Sequence, residues 1–101
     1  MPESGVGNDV LHETEYVGET FHYYSMKSAV ALHLLPGKRV ANGDLLRFGR
    51  KSKRPYEMLV FSIELDRQKI ELAEGPIAIG IEVSRRVENG TPVYLVSRVG
   101  A

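Results

Sequence analysis

Four cations fall within six residues, Arg50-Lys51-Ser52-Lys53-Arg54-Pro55. Nowhere else in the chain do side-chain types crowd together enough to suggest a chemistry. Clustered guanidinium and ammonium groups neutralise phosphates and release the counterions condensed on a nucleic-acid backbone. Arg47 stands just upstream, and Phe48 and Tyr56 flank the cluster. Their rings either stack on bases or fill strand positions. The candidate RNA-binding residues are therefore Arg47, Arg50, Lys51, Lys53 and Arg54. The alternative for the same stretch is a solvated hairpin tip.

Other chemistries find less support. The three histidines, His12, His22 and His33, do not form a local metal-ligand pattern, and without cysteine a zinc site would need imidazole and carboxylate ligands alone. Gly37-Lys38 invites a phosphate-loop reading, but the upstream glycine is missing and Arg39 follows the lysine in place of Ser or Thr. His22 and Glu64 are isolated titratable candidates, with no nucleophile beside a base. The expectation is a non-enzyme with no cofactor, no metal and no bound nucleotide.

The chain has 101 residues, 43% hydrophobic and 26% charged, which fits one globular domain with a modest core. Thirteen Lys and Arg balance thirteen Asp and Glu, so affinity for an anionic partner must come from a local patch. No apolar stretch approaches the roughly 20 residues of a membrane span, and no signal-peptide core is visible at the N-terminus. Cytoplasm is the expected compartment.

The elements that would position the cluster read as strands. Residues 1–15, with Gly5, Gly7, Asn8 and Asp9, read as a flexible tail. Tyr16 to Tyr24 is the first strand, and a turn near Met26 leads into Ala29 to Leu35. There Val30, Leu32 and Leu34 share one face and Ala29, Ala31 and His33 the other. That hairpin would set His22 opposite Val30, on the core side. Val40-Ala41-Asn42-Gly43-Asp44 is a turn in which Asp44 bonds nearby amides. Tyr56 to Leu65 reads as one long strand with Leu59, Phe61, Ile63 and Leu65 on its apolar face, and Ile70 to Glu74 as another. Ile77 to Val83 and Pro92 to Val96 read as the strand pair around which the chain is organised. Asn89-Gly90 supplies a positive φ between them, and Gly80 marks a bulge or a close backbone approach.

No helical period runs through the chain. Short strands with Gly, Pro and Asn between them point to an all-β fold, a small closed antiparallel β-barrel over residues 16–97 with a short tail at 98–101. Roughly six or seven strands are expected. The expected core is Val30, Leu32, Leu34, Leu46, Phe61, Ile63, Ile79, Ile81, Val93 and Leu95.

The order of several segments carries a resemblance. Val17-Gly18, His22-Tyr23-Tyr24, Val40 to Asp44, Phe61 to Leu65, Glu71 to Gly75 and Ile79 to Val83 succeed one another as in the β-barrel domain that follows the GTPase domain of elongation factor Tu and initiation factor 2. The chain is also similar to small translation elongation factor-like proteins and to the barrel at the C-terminus of some collagenase-like peptidases. The resemblance covers roughly residues 16 to 96. It implies a non-catalytic binding module that contacts RNA, tRNA or the ribosome. It assigns no individual residue to those contacts, and the absent GTPase domain carries no nucleotide chemistry over. The alternative is a protein-interaction or accessory domain of a larger assembly. It rests on the zero net charge and on Gly75-Pro76-Ile77-Ala78, where the family usually places an acidic residue.

Overall fold

The computed structural model describes residues 11–49 and 56–99. Ten antiparallel strands lie among them: β1 (Leu11–Tyr24), β2 (Ala29–Leu34), β3 (Arg39–Ala41), β4 (Leu45–Phe48), β5 (Tyr56–Leu59), β6 (Ile63–Leu65), β7 (Gln68–Ile70), β8 (Leu72–Glu74), β9 (Ile77–Glu82) and β10 (Pro92–Val99). Eight form one curved sheet in the order β5-β4-β10-β1-β2-β9-β6-β7, and β3 pairs with β8 apart from it. The expected all-β class holds, with more strands than expected. The expected closure does not, because β5 and β7 end the ladder without pairing to each other.

The chain itself crosses the gap. β5 ends one side of the sheet and β6 lies next to the other end, so Val60-Phe61-Ser62 must bridge them. Val60 donates its N–H to the Asp44 carbonyl at 2.8 Å, Gly43 donates to the Val60 carbonyl at 2.7 Å, and Glu82 donates to the Ser62 carbonyl at 3.3 Å. This bridge splits the long strand expected over Tyr56 to Leu65. Val60, Ser62 and Ile63 turn inward while Phe61 is 59% exposed. A strict alternation places Phe61 inside only if the strand runs unbroken.

The expected pairing of the last two strands is also overturned. β9 pairs with β2 and β6, β10 pairs with β1 and β4, and β1 and β2 lie between them. Gly90 still adopts φ 80, as the Asn-Gly signal requires. β1 is the element that holds the sheet together, being hydrogen-bonded to β10 along Leu11–Glu19 and to β2 along Gly18–Tyr24. Among the described residues strand structure thus runs from Leu11, ahead of Tyr16, to Val99. Residues 1–10 lie outside the described residues. Two register shifts, at Val17 and Phe21, bend β1. The second pairs His22 with Ala31 in place of Val30, so His22 faces solvent rather than the core.

The core collects Val17, Val30, Leu32, Leu46, Ile63, Ile81 and Val93 from the large sheet and Val40 and Ala73 from the small one, all at most 2% exposed. Leu95 packs only partly against it. The close backbone approach expected at Gly80 occurs elsewhere. A Cβ at Gly80 would meet only Glu64, at 3.8 Å, whereas one at Gly18 would overlap the His33 carbonyl and one at Gly75 the Leu35 carbonyl. The Val40-to-Asp44 turn forms as expected: Asp44 Oδ2 accepts the Ala41 N–H at 2.8 Å.

Candidate functional site: a cationic and aromatic end of the sheet

The cation cluster Arg50, Lys51, Lys53 and Arg54 lies outside the described residues. Its two feet do not. Gly49 follows β4, and Tyr56 opens β5, which pairs with β4 through Phe48↔Tyr56. Arg47, the fifth candidate, lies on β4, and its Nε sits 2.7 Å from Glu57 Oε2 across the ladder. Its side chain is 18% exposed and that of Glu57 31%. The two flanking rings are strand residues: Phe48 is 5% exposed in the core, and Tyr56 stacks on it at 5.3 Å and 28°.

The fold brings a second basic segment to this end. The connection between β9 and β10 passes over β5, and Ser84 donates its N–H to the Tyr56 hydroxyl at 2.8 Å. Arg85 places its guanidinium 4.8 Å from the Tyr56 ring centroid, and Arg86 lies 5.2 Å from that of Tyr23. Both are cation–π distances. In the sequence this segment reads as a polar crossing. Its signal was the arginine doublet, but the aromatic partners stand far away in the chain.

A second feature lies on the outward face of the sheet. Ala29, Ala31, Ala78 and Gly80 floor a depression of about 280 Å³, with Phe21 and Tyr24 on one side and Glu64 and Arg67 on the other. Small residues on paired strands β2 and β9 leave this space, and the bulge at Phe21 turns its ring outward against His33, 3.9 Å away. Beyond it, Lys69 Nζ donates to Ser62 Oγ at 2.8 Å. This serine faces a donor, not a base able to take its proton. Among the described residues no group of three His, Cys, Asp or Glu is placed to hold a metal. No helix there is long and apolar enough to cross a membrane.

No protein-family model and no curated protein matches the sequence. Solved structures do match the fold. The crystal structure of the C-terminal domain of a Geobacillus thermoleovorans protein described as a U32 peptidase superposes with a TM-score of 0.68 at 14% identity, over 80% of this chain and 91% of that one. The selenomethionine variant of the same domain gives 0.67 at 15% identity, over 78% and 96%. At this identity the likeness establishes the fold alone: the chain shares the all-β architecture of that C-terminal domain.

Proposed function

We propose that this protein is a non-catalytic, cytoplasmic binding module of the translation-factor barrel type that contacts RNA through the cationic end of its sheet. The observation that carries this reading is the arginine doublet after Ser84 set against Tyr56, the residue that follows the cation cluster in the sequence. Tyr56 bonds Ser84 and carries the Arg85 guanidinium over its ring. Clustered cations over aromatic rings suit a polyanion whose bases and phosphates are both accessible, as in single strands. The test is an RNA titration against salt. Four phosphate contacts predict a log–log slope of magnitude about 3 on single strands, and Lys53→Glu with Arg54→Glu should weaken binding alike for all sequences. Absence of salt-dependent binding by the unaltered protein would overturn the reading.

A second reading, docking on another polypeptide, is favoured by the depression between Phe21 and Arg67 and by the likeness to a domain carried at the end of a longer protein. Binding that is insensitive to salt and lost when Ala31 or Ala78 is enlarged would support it instead.

A further inference from the structure

Resting on the RNA reading above, we infer that Ser84-Arg85-Arg86 is a phosphodiester-binding edge in its own right, with two guanidinium groups held in position by tyrosine rings. The segment is fixed at both ends. Val83 and Val87 are buried at 2% and 5% exposure, and Val83 donates its N–H to the Ser28 carbonyl at 2.8 Å. The three residues between them are exposed. Short exposed spans between buried anchors lose little conformational freedom when they bind.

The platform under Arg85 is equally fixed. The Tyr56 hydroxyl accepts the Ser84 N–H and lies 2.8 Å from Ser84 Oγ, while its ring stacks on buried Phe48. Tyr23, under Arg86, packs against the core. A guanidinium has five N–H donors, and the contact with a ring leaves donors available for a phosphate. Among the described residues no carboxylate pairs with Arg85. Arg86 reaches Glu88 only at 3.5 Å, with side chains 67% and 81% exposed, a contact that an incoming phosphate replaces at little cost. None of these contacts involves residues 50–55. An acidic polypeptide would present carboxylates to the same fork and is the competing ligand.

The experiment follows a fluorescein-labelled oligouridylate by anisotropy across a salt series. It compares the full chain, Arg85→Gln/Arg86→Gln, and Arg85→Lys/Arg86→Lys, with folding checked by amide spectra. The glutamine pair should lower the slope magnitude by about 1.4 and the low-salt affinity roughly tenfold. The lysine pair should keep the slope and lose several-fold in affinity, because an ammonium lacks the planar fork. If the unaltered chain binds and the glutamine pair keeps the slope, the inference fails while the RNA reading stands. If the unaltered chain does not bind, both fail. Should the glutamine pair not fold, unchanged affinity in the lysine pair overturns the inference. Polyglutamate displacing the probe as well as unlabelled oligouridylate does overturns the phosphodiester assignment.

Discussion

Thr20 donates its hydroxyl hydrogen to the Glu88 carbonyl at 2.8 Å, joining β1 to the far end of the β9–β10 crossing. Thr20 Oγ1 in turn accepts the Thr91 N–H at 3.0 Å, and the Thr20 backbone bonds Gly90 and Thr91. Thr20 is 1% exposed, so no water replaces what its hydroxyl provides. Thr20→Val should leave the Thr91 N–H without an acceptor, while the Glu88 carbonyl keeps the Thr91 hydroxyl at 2.6 Å, and cost about 1–3 kcal/mol. Urea unfolding would read this as a lower midpoint with the slope unchanged.

The glycines separate by what surrounds them. Gly18→Ala and Gly75→Ala would drive a methyl into backbone carbonyls of His33 and Leu35, which have no freedom to retreat. Each should cost about 3 kcal/mol or more. Gly80→Ala meets only ordinary contact with Glu64 and should be neutral or stabilising by up to about 1 kcal/mol. Thermal melts of the three variants test the contrast, and a Gly80→Ala protein as unstable as Gly18→Ala would contradict it.

Ile81 and Phe61 make a second contrast. Ile81 is fully buried, and Ile81→Ala should cost about 2–5 kcal/mol. Phe61→Ser should change stability by no more than about 1 kcal/mol, because that ring is mostly in solvent. Denaturant midpoints for the two variants test the break in alternation at Val60 to Ser62, and equal losses would contradict it.

Arg47→Gln should lower stability by up to about 1 kcal/mol, the scale of a partly exposed ion pair, and leave oligouridylate affinity unchanged. Its guanidinium is already held by Glu57. Loss of RNA affinity in this variant would place Arg47 among the contacts.

Legibility in the sequence depends on how local each signal is. The alternation of Val30, Leu32 and Leu34, the Asp44 turn and the positive φ at Gly90 are decided within a few residues, and each forms as read. Alternation misplaces His22 because one extra residue at Phe21 inverts the facing of the rest of β1. It misplaces Phe61 because the break at the sheet's gap resets the count. The neighbours of β9 and β10 are illegible, since adjacency in sequence does not fix adjacency in a sheet. The role given to Arg85 and Arg86 depends on Tyr56 and Tyr23, residues brought to them only by the fold.

RNA contact at the cationic end of the sheet is best read by amide chemical-shift mapping during titration with oligouridylate. Shifts should concentrate at Gly49, Tyr56 and Ser84 to Arg86, and diminish as salt is raised. An unchanged spectrum, or shifts confined to Ala29, Ala31, Ala78 and Gly80, would contradict RNA contact there.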